Sequence, residues 1–180
     1  MKRSMASAVA LALALAAGLT ASPALAQHVH GEAKLAVVIE ASTLTIEFSA
    51  PLGDLAGFEH EPKTPEEKAK AASIAKTLGD SASIVTVPAQ AGCKPAAAKI
   101  DGLSGHDDHD HGDSEDHHGD HSDVVATYTL TCSKLASLRA VDIPARKTFP
   151  SISTIQATVL GPQKQTSQKL SGKTTELRLR

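Results

Sequence analysis

One segment of the sequence is dense in side chains that bind metal ions. Between His106 and Asp123 the chain reads HDDHDHGDSEDHHGDHSD, with six of its nine histidines, eight carboxylates and no lysine or arginine. Imidazole nitrogen suits zinc, copper, nickel and iron(II), and carboxylate oxygens can complete the coordination. We call this segment the histidine tract, and it predicts divalent-metal binding through His106, His109, His111, His117, His118 and His121. The alternative is a solvated acidic linker, which would need the acids but not the imidazoles.

The other three histidines lie outside the tract. His28 and His30 are separated by one residue, and Glu32 follows at the same spacing. In an extended strand these three side chains share one face, where they could converge on one ion. The alternative is a frayed N-terminus without a binding role. His60 lies between Glu59 and another acid in a turn-rich loop, 50–62, and a lone histidine there is more often a surface residue than a ligand.

The N-terminus has the pattern of a secretory signal peptide. Two basic residues at 2–3 precede an apolar run over 8–19, and Ala-Leu-Ala at 24–26 is a small-x-small cleavage site. We therefore expect cleavage of residues 1–26 and a single exported domain over residues 27–180. No later apolar run approaches the roughly 18 residues of a membrane span. The mature chain would hold 16 basic and 20 acidic residues, a balance that gives no indication of nucleic-acid binding.

The chain contains two cysteines, Cys93 and Cys132, which bracket the histidine tract. In an oxidising compartment a disulfide between them is the expected pairing. Closing a loop of this length would stabilise the fold by about 4 kcal/mol in the chain-entropy description. The tract could then stay mobile without loosening the domain. Metal ligation by the two thiols is the alternative.

Alternation of apolar and polar residues predicts most of the secondary structure. The runs 29–39 and 44–48 predict a hairpin with one buried side, on which Val29 lies, and a helix is predicted between Thr64, Pro65 and Glu67 at its start and Gly79 at its end. The fold class is α+β, mostly antiparallel sheet with one covering helix and a long disordered His/Asp-rich loop between two strands. Further strands are predicted at 83–87, 96–100, 124–132, 154–159, 165–170 and 175–179, the loop at 104–123, and short helical turns at 135–138 and 145–149.

Catalysis has weak support in the sequence. His28, His30 and His60 match, in number and type, the ligands of a three-histidine zinc hydratase or hydrolase site with an open water position. A His-x-His pair in an exported chain with a disulfide is also similar to copper/zinc superoxide dismutase. Neither pattern is complete, because a second His-x-His pair on a folded strand is missing. We therefore expect a protein that is not an enzyme.

Five separate features follow one another along the mature chain. They are the start at 28–32, the segment 51–62 with Gly-Phe-Glu-His at 57–60, the helix opening at 64–68, the two cysteines around the tract, and the closing segments 157–162 and 177–179. In their order and spacing the sequence resembles the ZrgA-like family of bacterial periplasmic zinc-uptake proteins. The resemblance implies Zn²⁺ binding in the periplasm, with His28, His30 and His60 as a site on the folded body and the tract as an auxiliary site.

The sequence thus predicts a periplasmic zinc-binding protein. The tract would capture Zn²⁺, the folded body would retain it, and the ion would pass to a zinc-uptake transporter or its solute-binding protein. A copper or nickel buffer is the alternative, since imidazole clusters bind Cu²⁺ and Ni²⁺ at least as tightly. The candidate ligands of the body site are His28, His30, Glu32, Glu59 and His60.

Overall fold

The computed structural model describes residues 29–103 and 123–180. Within these ranges the chain forms a six-stranded sheet, a two-stranded ribbon and three helices. The α+β class and the mostly antiparallel sheet are therefore confirmed. The elements are β1 (Glu32–Glu40), β2 (Thr43–Pro51), α1 (Leu52–Ala56), α2 (Pro65–Gly79), β3 (Cys93–Asp101), β4 (Asp123–Cys132), β5 (Ala140–Asp142), α3 (Ala145–Thr148), β6 (Thr154–Leu160), β7 (Gln165–Ser171) and β8 (Glu176–Arg178).

Three hairpins build the large sheet. Its strand order is β3-β4-β2-β1-β6-β7, and β5 and β8 pair separately as the ribbon. The hairpins β1–β2, β3–β4 and β6–β7 are antiparallel, as is the contact between β2 and β4. The exception lies in the middle of the sheet, where β1 pairs with β6 in parallel. The start of the described chain is thereby placed beside a strand more than a hundred residues away.

Alternation along the strands gives the sheet one buried face. In β1, Leu35 and Val37 are buried, whereas Lys34 and Glu40 are exposed. The same period occurs in β2, β4 and β6, as expected for strands with one face in the core. We call the opposite, partly exposed side the open face of the sheet.

Helix α2 covers the buried face. Thr64 and Glu67 form the predicted capping box, and the helix runs to Gly79. Its thin apolar stripe buries Ile74 and Leu78, which pack in the same core as the sheet. From the sheet, the hydroxyl of Tyr128 donates to the carbonyl oxygen of Leu78 at 2.7 Å. The last turn of α2 therefore has one of its otherwise unpaired carbonyls satisfied by the sheet beneath it.

The cysteines close the base of the β3–β4 hairpin. Cys93 and Cys132 are register partners and are joined by a disulfide. This confirms the expected pairing. The predicted loop lies between the far ends of the same two strands, and residues 104–122 fall outside the described ranges. The cross-link is thus at the opposite end of the hairpin from the tract.

Three local predictions are wrong. Residues 83–87 do not form a strand, because a 3₁₀ turn at Ser81–Ser83 leads into a single bridge from Thr86 to Asp142. Part of the predicted loop 50–62 is helical, as α1. The first strand begins only at Glu32, so the extended start predicted for the preceding residues is replaced by a turn, and Val29 is exposed rather than buried.

Candidate metal centre

A tight turn sets the direction of His30. Gly31 has φ +76°, a conformation that glycine adopts without strain, and the amide of Glu32 donates to the carbonyl of Val29 at 3.1 Å. The carbonyl oxygen of Gly31 accepts from the amides of Ser153 and Thr154 at 2.9 and 3.0 Å. The turn is therefore anchored to the start of β6. It carries His30 away from the line of β1.

Two carboxylates flank the His30 ring. Its Nε2 lies 2.9 Å from Oε1 of Glu59, and its Nδ1 lies 3.8 Å from Oδ1 of Asp54. The other oxygen of Asp54 accepts from the amide of Gly31 at 2.7 Å. We call these three side chains, His30, Asp54 and Glu59, the His30 cluster. The exposed side-chain fraction is 65% for His30, 35% for Glu59 and 8% for Asp54, so only the two outer groups are accessible to an ion.

Helix α1 and its glycines bring Glu59 to His30. The helix follows β2 directly and ends at Gly57, which has the left-handed conformation. The amide of Gly57 donates a hydrogen bond to the carbonyl oxygen of Gly53. The chain then reverses so that Glu59 lies over Gly53. A Cβ at position 53 would lie 2.9 Å from Cγ of Glu59 and 3.0 Å from its Oε1. Glu59 therefore occupies the space that a side chain at position 53 would fill.

The His30 cluster has two potential ligands, His30 and Glu59, and a third carboxylate-bearing residue, Asp54, that holds the Gly31 turn. Two donors on a tetrahedral zinc ion, each about 2.1 Å from the metal, are about 3.4 Å apart. Glu59 and the Nε2 of His30, now at hydrogen-bond distance, would need to separate by roughly half an ångström to admit the ion. Asp54 lies on the side of the other ring nitrogen, where outer-shell carboxylates commonly orient metal-binding histidines, but at 3.8 Å it is beyond hydrogen-bond distance.

Another predicted ligand, Glu32, contacts a residue outside the His30 cluster. Glu32 is in β1, and its Oε2 accepts from the side-chain amide of Gln156 on the neighbouring strand β6 at 3.3 Å. It shares the open face of the sheet with that residue, because the adjacent Ala33 is buried. The described contacts therefore do not bring Glu32 together with His30. His28 lies outside the described residues.

His60 faces a different carboxylate. Its Nε2 lies 3.6 Å from Oε1 of Glu67 in the first turn of α2, and its Nδ1 lies 2.9 Å from the carbonyl oxygen of Glu61. Phe58, which packs partly against the core, stacks on the ring. Although Glu59 and His60 are adjacent in sequence, they contact different partners. The described geometry does not bring His60 together with His30.

No group of three histidine, cysteine, aspartate or glutamate side chains in residues 29–103 and 123–180 is arranged to hold a metal ion. The His30 cluster supplies at most two direct ligands, so a complete coordination shell needs donors from elsewhere. Zinc completes such shells with water or with further side chains. The six histidines of the tract, 106, 109, 111, 117, 118 and 121, lie outside the described residues.

The strand register shows where the tract joins the body. Asp123 begins β4 opposite Pro51, the last residue of β2, and its Oδ2 accepts from the hydroxyl of Ser49 at 3.2 Å. The pairing of Lys34 with Ser49, continued by two residues, puts Glu32 level with Pro51. Two strand spacings of about 4.8 Å then separate the start of β1 from the start of β4, about 10 Å in all. The tract therefore rejoins the sheet at the end that carries the His30 cluster.

Among the described residues, no helix is long and apolar enough to span a membrane.

The fold defines the chain as an α+β protein, and the His30 cluster places an imidazole beside a carboxylate. The family model described as ZrgA family zinc uptake protein matches residues 27–179. The chain belongs to this family of zinc uptake proteins. The match confirms the resemblance read from the sequence and connects the protein with zinc uptake, and the family is not described as one of enzymes. No curated protein matches the chain.

Three residues of the site were not anticipated from the sequence. Asp54 lies in a turn-rich loop, and its only sequence signal is that it is a third acid in the segment that holds Glu59. The sequence predicts only helix capping for Glu67. Gly53 has no side chain, and its importance comes only from the approach of Glu59. A count of acids within 50–62 would have found Asp54, whereas the other two roles depend on tertiary contacts.

Proposed function

We propose that the protein is a periplasmic, non-enzymatic zinc carrier. In this proposal the histidine tract captures Zn²⁺, and His30 with Glu59 retains the ion on the folded body. His28, two residues before His30, is the candidate for a further ligand. The ion then passes to a zinc-uptake transporter or to its solute-binding protein. Membership of a zinc uptake family supports the metal and the general role.

One observation carries the proposal. A histidine and a glutamate lie in contact, at 2.9 Å, at the end of the sheet where the tract is attached. The lateral distance of about 10 Å is short for a segment of this length, because a chain extends by about 3.3 Å per residue. An ion bound by the tract could therefore be handed to the His30 cluster without a large movement of the sheet.

The two donor sets would differ in affinity and exchange rate. Binding by a flexible segment must overcome the conformational entropy that ordering removes, at roughly 1 to 2 kcal/mol for each residue fixed. The His30 cluster is already held by the Gly31 turn, by Asp54 and by the packing of Glu59 on Gly53. We therefore expect fast, weaker capture by the tract and slower, tighter retention by the body.

Export supports this role. Residues 1–26 have the pattern of a cleaved signal peptide, and the Cys93–Cys132 disulfide is typical of an oxidising compartment such as the periplasm. Imidazole must be deprotonated to bind zinc, and its reference pKa lies near 6.5. Capture by the tract should therefore weaken as the pH falls below about 6.

Calorimetric zinc titration at neutral pH tests the division of labour. The mature chain would be compared with a variant in which residues 106–121 are replaced by a Gly/Ser linker of equal length. Asp123 is kept because it pairs with Pro51 and binds Ser49. Retention of one tight site in the linker variant is the expected result. Loss of all zinc binding would show that the body is only a scaffold for the tract.

A second arm of the titration addresses the residues and the metal. His30→Gln in the linker variant should remove the tight site, and Lys34→Gln, an exposed change on the open face of β1, should leave it intact. Competition with Cu²⁺ and Ni²⁺ compares the alternative cargo ions. Tight zinc binding that survives His30→Gln would contradict the assignment of the body site.

A further inference from the structure

We propose that His60 and Glu67 form a second divalent-cation site, separate from the His30 cluster, at the first turn of α2. The Nε2 of His60 and the Oε1 of Glu67 face each other at 3.6 Å. This distance is too long for a good hydrogen bond. It is close to the separation of about 3.4 Å expected for two ligands on one tetrahedral zinc ion.

The ring of His60 is oriented as a ligand. Its Nδ1 lies 2.9 Å from the carbonyl oxygen of Glu61, a contact in which only the imidazole can donate. In neutral histidine a proton on Nδ1 leaves the Nε2 lone pair available, and that atom points to Glu67. Phe58 stacks on the ring with centroids 5.4 Å apart and an interplanar angle of 26°. A backbone acceptor on the remote nitrogen is the usual way in which proteins orient a metal-binding histidine.

Glu67 is held equally firmly. Its Oε2 accepts from the amides of Thr64 at 2.9 Å and Lys63 at 2.7 Å, while Oε1 faces His60. These bonds, the one from Thr64 first and the one from Lys63 second, hold the pKa of the Glu67 carboxyl below its usual value. The two amide donors therefore fix the carboxylate before any ion arrives, so little ordering is required on binding.

This site is distinct from the one in the proposed function. Glu59 faces His30 and His60 faces Glu67, although the two residues are neighbours in sequence. Two protein ligands leave at least two positions of a zinc ion to water. We therefore expect a weaker, more exchangeable site than a closed structural one. A zinc ion bound there would link His60, which follows α1, to Glu67 in the first turn of α2.

The test is zinc titration of the full chain followed by histidine side-chain NMR, with Zn²⁺ alone as the probe. His60 is assigned by the loss of its signals in His60→Gln, and His30 is followed in the same spectra. Glu67→Gln removes the carboxylate charge but keeps an acceptor for the capping box, which accepts glutamine as well as glutamate. Glu66→Gln, at an exposed neighbouring position, is the matched control.

In the native chain the Nε2 of His60 should respond to Zn²⁺. Glu67→Gln should weaken that response by about tenfold or more, and Glu66→Gln by less than about twofold. His30→Gln should leave the His60 response in place. An unresponsive His60, equal effects of the two glutamine variants, or loss of the His60 response in His30→Gln would each overturn the second site. Because His30 reports on the body site independently, failure of the proposed function would be seen separately.

Discussion

Substitution of Gly53 by alanine should separate zinc retention from folding. The added Cβ would lie 2.9 Å from Cγ of Glu59, closer than real Cβ contacts allow, so Glu59 must move. Glu59 is a flexible, partly exposed side chain, and its displacement costs the fold little. The displaced carboxylate, however, can no longer approach Nε2 of His30. The same methyl group is thus harmless to the helix and harmful to the site.

The two effects have different magnitudes. Alanine in place of helical glycine stabilises by at most about 1 kcal/mol, and loss of the Glu59–His30 hydrogen bond costs about 0.5 to 1.5 kcal/mol. The free energy of unfolding should therefore change by no more than about 1 kcal/mol. Zinc affinity of the body site should fall by about tenfold to a hundredfold, which is the range for disturbing a metal-binding shell.

The assay is zinc calorimetry on the linker variant that lacks the tract histidines, combined with urea unfolding of the same proteins without metal. Gly79→Ala is the matched control, because Gly79 is also helical and a Cβ there meets no heavy atom within 4 Å. Unchanged zinc affinity in Gly53→Ala would refute the role of Glu59 as a ligand. Destabilisation by more than about 2 kcal/mol would refute the argument that Glu59 yields easily.

Three further predictions concern the fold. Burial raises the pKa of Tyr128, the only tyrosine of a chain without tryptophan. The absorbance at 295 nm should therefore rise near pH 10 for the chain unfolded in urea but not for the native protein. The contribution of the buried, neutral hydroxyl to stability is complete below pH 10 and is lost as the pH rises through the raised pKa. Replacing Cys93 and Cys132 by serine should lower the free energy of unfolding by about 4 kcal/mol in the chain-entropy description, and a change under 1 kcal/mol would contradict it. Thr64→Ala removes the side-chain N-cap of α2 and should lower the free energy of unfolding in urea by about 1 kcal/mol. Thr64→Ser keeps a capping hydroxyl and should leave the free energy of unfolding close to its native value.

Local patterns in the sequence predicted the elements that depend on neighbouring residues. The period of two in β1 and β2, and the Thr64–Glu67 capping box of α2, are confirmed because each arises within a few residues. The wrong predictions lie where a local signal is overruled. An apolar run at 83–87 forms only one bridge, and Gly31 turns a segment that alternation alone would have extended.

The sequence by itself determined the chemistry available to this protein. Imidazoles and carboxylates dominate the tract and the segments around His30 and His60, and two cysteines bracket the tract, so a metal-binding exported chain could be predicted from residue types. The sequence did not determine which strands and side chains contact one another. The parallel pairing of β1 with β6, the contact of Glu59 with His30 and that of His60 with Glu67 were decided by the tertiary structure. Residue type sets which atoms can bind a metal ion, but distances between side chains on separate elements depend on how the whole core packs.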